Sequence, residues 1–189
     1  MRRQVFWITR CIALGPFATE ARGKELLADR VTHVLNVSDT PCRVHAEPEG
    51  FEEVAWEPIS DLERIPDDLA LRCLDTLHRM LARPGARVYL HCVAGQIRSP
   101  TVLWLYLIAC GLSPSQARLR IEERTLDAVA GHSRLIDRDL IDLVQRHGEA
   151  HYQPLPRPEI LDPAEGPPFF DSTIRPAASA LGTLRSSWL

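Results

Sequence analysis

A cysteine and an arginine stand six residues apart in the stretch His91-Cys92-Val93-Ala94-Gly95-Gln96-Ile97-Arg98-Ser99. The apolar run Val88-Tyr89-Leu90 ends there, and a second apolar run opens just after Pro100. A tight loop between a strand and the amino end of a helix suits an anion. Its N–H groups converge, and the helix dipole adds about half a positive charge. A cysteine in that field is favoured as thiolate over thiol. Arg98 closes the loop with a planar fork that holds two phosphate oxygens at once. A thiolate beneath a phosphorus so held is set up for in-line phosphoryl transfer.

Alternating strands and helices must position this loop. Val5 to Thr9 reads as a first strand, continuing toward Ile12 and Ala13. Thr19 caps a helix to about Ala28, with Leu26 and Leu27 inward. The β-rich VTHVLNVS, 31–38, and the segment FEEVAWEPI read as further strands. A helix begins at Asp67 or Asp68 and ends near Arg83, where Pro84-Gly85 stops it. Leu69, Cys73, Leu77, Met80 and Leu81 are its apolar stripe. Pro100 fits the first turn of the next helix and Gly111 its end. That helix is apolar almost all round, which makes it the central buried one. Ser113-Pro114-Ser115-Gln116 is a capping box opening a helix to about Arg124, and a last helix is expected from Ser133 to His147, ended by Gly148. This alternation implies an α/β layer fold.

The domain is expected over 1–150, followed by a proline-rich tail, 151–189. Six prolines fall within the 18 residues from Gln153 to Phe170, which prevents regular structure, while Phe169, Phe170 and Trp188 are candidates to pack on the domain. Trp7, Trp56 and Trp104 are expected in the core, and His33, His45, His78 and His147, unclustered, on the surface.

The 189 residues are 45% apolar, enough for one domain with a real core. A formal net charge of −3 gives no general reason to bind nucleic acid or an anionic membrane. Arginine outnumbers lysine 21 to 1, which is put down to gene base composition. Five cysteines, at 11, 42, 73, 92 and 110, are odd in number and show no metal-ligand spacing. A reducing compartment is expected, with no structural zinc and no cofactor. Cys11, Cys73 and Cys110 read as core residues, and Cys42 as a candidate for a reversible disulfide with Cys92. Arg10 interrupts the first apolar stretch after six residues, and the longest apolar run, Val102–Cys110, has nine. Neither suits a signal core or a bilayer span, so a cytoplasmic location is expected.

The signature resembles H-C-x5-R-S/T of the protein tyrosine phosphatase superfamily, and the wording Ala94-Gly95-x-x-Arg98-Ser99-Pro100-Thr101 is similar to its dual-specificity branch. The likeness runs from about Ile12 to Gly148, including the THVLN strand, 32–36. It implies a central mixed, mostly parallel sheet flanked by helices on both sides. It implies Cys92 as nucleophile, Arg98 as phosphate binder, Ser99 as hydrogen-bond donor to the sulfur and His91 as the residue that orients the loop. Val93, Ala94, Gly95, Gln96 and Ile97 would offer backbone N–H groups. The family's general acid lies roughly thirty residues upstream on a loop, which points to Asp61; Asp67 and Asp68 fall where a helix should begin and suit capping. Departures are Ile97, where relatives often carry Ser, Gly or Lys, and the segment after Arg124, where His132 or Arg134 would line the pocket.

The expected activity is hydrolysis of phosphate monoesters, foremost phosphotyrosine in proteins, with phosphoserine and phosphothreonine next, and without a metal. The expected partner is a phosphorylated protein or small phosphate monoester. Competing readings are a phosphatase-like module that binds phosphorylated partners, or a phosphatase for a lipid, sugar or RNA-end phosphate. The loop's lack of lysine weighs against a phosphoinositide.

Overall fold

Period-two alternation sorts the strand side chains onto two faces of one sheet. In a computed structural model, which describes residues 5–47 and 50–166, the strands are β1 (Phe6–Trp7), β2 (Ile12–Gly15), β3 (His33–Asn36), β4 (Glu53–Trp56) and β5 (Val88–His91). Their order is β1-β2-β5-β3-β4, with only β1 antiparallel. Ala13, Val34 and Tyr89 pack with Leu26 of α1 (Glu20–Ala28), together with Val44 and Phe51. Ile12, Leu14, Leu35, Val88 and Leu90 belong to the opposite, larger core. That core is covered by α2 (Asp67–Leu81), α3 (Arg98–Ala109), α4 (Pro114–Glu122) and α5 (Arg138–His151). The expected mixed sheet with helices on both faces is the one observed.

All twelve residues of α3 are buried, because α2, α4, α5 and the sheet surround it. Thr19 accepts from the Arg22 N–H at 3.3 Å, and Ser113 and Gln116 complete a capping box, so both caps legible in the sequence are present. Among the described residues no helix is long and apolar enough to cross a membrane.

Several expectations need correction. The first strand is not continuous: Thr9 Oγ1 accepts from the Cys11 and Ile12 N–H groups, folding 8–11 into a turn between β1 and β2. The last helix starts later and runs further, from the Asp137 cap to His151. Gly148 lies inside it, where a Cβ would stand 1.9 Å from the Ala109 carbonyl oxygen. It is a close-packing glycine rather than a terminator. Trp104 is buried, but Trp56 is 43% exposed and donates to the Ser38 carbonyl, and Trp7 is half-buried beneath Arg87. His33 is buried rather than superficial. His78 and His147 also meet: His78 stacks on Tyr152 at 4.0 Å, and Asp75 bonds both His147 and Tyr152.

The described part of the proline-rich segment lies against the domain. Ile160 and Tyr152 enter the main core, and Thr9 bridges to Pro163. Arg157 donates to the Leu81 and Ala86 carbonyls, and Arg120 to the Leu161 carbonyl. Proline forbids regular ladders, so arginine-to-carbonyl bonds running both ways between segment and domain take their place. Phe169, Phe170 and Trp188 lie outside the described residues.

Candidate active site

β5 pairs in parallel with both β2 and β3, so its carboxyl end sits mid-sheet, the place where α/β folds bind ligands. The loop 92–97 leaves from there and enters α3 at Arg98. Cys92 is 2% exposed at the floor of this loop. Its Sγ accepts hydrogen bonds from the Gly95 N–H at 3.3 Å and the Ser99 hydroxyl at 3.4 Å. Gly95 has φ +75°, and an added Cβ would lie 2.5 Å from the Gly15 carbonyl carbon. Both the left-handed backbone and the close approach to β2 require glycine.

Neighbours hold the curl. The Phe17 N–H donates to the Val93 carbonyl at 2.9 Å and the Val129 N–H to the Gln96 carbonyl at 2.8 Å, while the Gln96 amide donates to Asp127. The N–H groups of Val93, Ala94, Gln96 and Ile97 donate to no protein acceptor among the described residues. They are the donors a bound oxyanion would use. His91 is buried between Phe17, edge-on at 5.2 Å, and Tyr89. Burial pushes its pKa down to about 4, so the ring is neutral near pH 7 and donates from Nδ1 to the Cys92 carbonyl at 3.1 Å. It buttresses the loop from behind.

Arg98 is buried at the start of α3. Its Nη1 donates to Asp39 Oδ1 at 2.9 Å and to the Ile59 carbonyl at 3.1 Å, and its Nε lies 3.4 Å from Asp61 Oδ1. The hydrogen bond from Arg98 holds the Asp39 carboxyl below the usual carboxylate range. Asp61 therefore stands at the mouth of the cysteine loop. The rivals are occupied elsewhere, Asp67 with Arg64 at 2.8 Å and Asp68 with Arg72 at 2.6 Å, at the start of α2. The Asp61 loop is moored at its far end, where Arg64 bridges to Asp137 and the Ile65 N–H donates to the Leu135 carbonyl.

Asp39 is the site residue that sequence reasoning missed. Asn36 builds the bend that presents it: Asn36 Oδ1 accepts from the Ser38 N–H and hydroxyl, and Nδ2 donates to the Thr40 carbonyl. An Asn-x-Ser-Asp bend was legible; an ion pair spanning 59 residues was not. His132 and Arg134 do not supply the loop's contacts; Asp127 and Val129 do, while the His132 N–H donates to Thr101. Cys42 is a free thiol beside the Asn36 amide and the Ala55 carbonyl. Among the described residues no group of three or more His, Cys, Asp or Glu is placed to hold a metal ion.

This architecture, with a Cys-x5-Arg loop at the end of the central strand, has the fold of solved tyrosine-phosphatase-like and dual specificity phosphatase structures. Dual specificity protein phosphatase 26 of Bos taurus is 31% identical over 90 residues, covering 45% of this chain and 42% of that protein. The Homo sapiens form is 30% identical over the same length and the same shares. The chain thus spans less than half the length of these curated relatives. The structure of Tk-PTP in its active form superposes with a TM-score of 0.60 at 22% identity, covering 79% of this chain and 99% of that one. PTPMT1 in complex with PI(5)P gives 0.59 at 18%, covering 78% and 96%. No family model matches the chain.

Proposed function

We propose that this chain hydrolyses phosphate monoesters through a cysteinyl-phosphate, acting foremost on phosphotyrosine in proteins and next on phosphoserine or phosphothreonine. The observation that carries the reading is the convergence on one sulfur. Gly95 and Ser99 donate to Cys92 Sγ, while Arg98 and Asp61 meet 3.4 Å apart at the same mouth.

In the first step Cys92 Sγ attacks phosphorus, the P–O bond to the leaving oxygen breaks, and the Asp61 carboxyl gives that oxygen its proton. Arg98 and the loop N–H groups bear the charge on the three equatorial oxygens. In the second step the Asp61 carboxylate takes a proton from water as its oxygen attacks phosphorus. The S–P bond then breaks, and the Ser99 hydroxyl stabilises the departing sulfur. His91 positions the loop and touches no substrate. A cytoplasmic, reducing setting fits this chemistry and the five free cysteines.

A second reading, a non-protein phosphate, is favoured by the fold shared with PTPMT1, which is described in complex with PI(5)P. The test is vanadate-sensitive turnover of p-nitrophenyl phosphate by the wild type. Cys92→Ser should abolish it; full activity in that variant, or an inert wild type, refutes the proposal. A panel of phosphotyrosyl peptides against phosphoinositides separates the two substrates.

A further inference from the structure

The span that carries Asp61 is held at few points. Ile59 and Ile65 are fully buried, and the residues between them, 60–64, are all exposed. None of these makes a backbone–backbone hydrogen bond among the described residues. Leu62, next to Asp61, has φ +55°. A leucine keeps such a left-handed backbone only where its surroundings impose it. The restraint therefore comes from the two ends of the span and from side chains.

At the near end Arg98 supplies it, through the Ile59 carbonyl at 3.1 Å and through Asp61 itself. At the far end Arg64 supplies it. Its Nε and Nη2 fork onto the two oxygens of Asp137 at 2.5 and 3.1 Å. Its Nη1 bonds Asp67 Oδ1 at 2.8 Å and the Ile65 carbonyl at 2.9 Å. Asp137 is a firm post, because it caps α5 by accepting from the Leu140 N–H at 2.9 Å, and Gly148 of that helix is pressed on Ala109 of α3. A planar fork on a carboxylate fixes direction as well as distance, which a point charge does not.

We propose that Arg64, clamped on Asp137, is a positioning residue for the general acid: it holds Asp61 at the mouth of the cysteine loop and touches no substrate. The inference rests on the phosphatase reading above, with Asp61 as its acid. The test measures kcat/KM for the wild type, Arg64→Gln, Asp137→Asn and the double variant. One substrate is phenyl phosphate, whose leaving oxygen needs a proton; the other is p-nitrophenyl phosphate, whose leaving group needs one far less. Asparagine keeps the α5 cap while losing the charge, so Asp137→Asn breaks the clamp without unseating the helix.

Each single variant should lose about three- to tenfold on phenyl phosphate and about twofold or less on p-nitrophenyl phosphate, between the weakness of exposed ion pairs and the steep cost of misplacing a reacting group. The double variant should lose no more than the worse single one, since both break one clamp. Asp61→Ala should show the same split, larger. Equal losses on the two substrates, no loss on phenyl phosphate, losses that multiply in the double variant, or a split that Asp61→Ala does not share would each overturn the assignment. If Arg64→Gln does not fold, the split in Asp137→Asn decides alone. A wild type inert toward both substrates sinks the phosphatase reading, whereas an active wild type with an unsplit loss sinks only the clamp.

Discussion

Asp39 Oδ1 accepts a 2.9 Å hydrogen bond from Arg98 Nη1, on the guanidinium whose Nε also faces Asp61. The group that would bind phosphate is thus engaged by two half-exposed carboxylates.

Asp39 and an incoming phosphate dianion compete for the same nitrogen. Asp39→Asn removes the charge and keeps the shape, so the KM for p-nitrophenyl phosphate should fall about two- to fivefold, the scale of a partly solvated charge pair. Steady-state kinetics with vanadate inhibition checks this. A raised KM would show instead that Asp39 holds the guanidinium in place.

Asp61 should matter in proportion to how badly the leaving oxygen needs a proton. Asp61→Ala should lower kcat on phenyl phosphate or a phosphotyrosyl peptide about 100- to 10,000-fold, and less on p-nitrophenyl phosphate, whose leaving group departs as a stable anion. Equal losses on both substrates would move the general acid elsewhere.

His91 links folding to pH. Its folded-state pKa of about 4 lies below the ordinary 6.5, so between these values the unfolded chain binds a proton that the folded one does not. This contribution is whole above pH 6.5 and is lost as pH falls toward 4; it amounts to roughly 3 kcal/mol. Burial lowers His33 and His78 as well, so they act in the same direction. Urea midpoints at pH 7 and pH 4.5 should separate less for His91→Asn than for the wild type. Identical separations would refute the assignment.

Gly148→Ala should cost about 2–3 kcal/mol, since its methyl must push α5 off the Ala109 carbonyl of α3. A thermal melt reads this loss. A wild-type melting temperature would mean the two helices can part freely.

The strand–loop–helix unit around Cys92 was legible because each part has a local signal. The apolar run ends at His91, glycine marks the curl, and Pro100 sits in the first turn of an apolar helix. The Thr19 cap and the Ser113 capping box were legible for the same reason. Failures came from contacts distant in sequence. Gly148 looks like a terminator until α3 presses against it, and Trp56 looks like core until β4 proves to be an edge strand with its end open. The His78–Tyr152–Asp75–His147 cluster joins α2 and α5 through hydrogen bonds that span 72 and 77 residues, and no periodicity announces it. Of the candidate site, the grouping of Cys92, Arg98 and Asp61 was expected from spacing and resemblance, while the place of Asp39 beside Arg98 needed the fold.

Ile160 is fully buried in the same core as α3 and α5, and Tyr152 lies nearly as deep. Anyone trimming the gene at residue 150, where composition suggests a boundary, would carve an apolar crater into the underside of the domain and take away the Asp75 carboxylate's phenolic partner. The proline-laden stretch is a keel, and expression fragments that omit it should be sticky and poorly soluble.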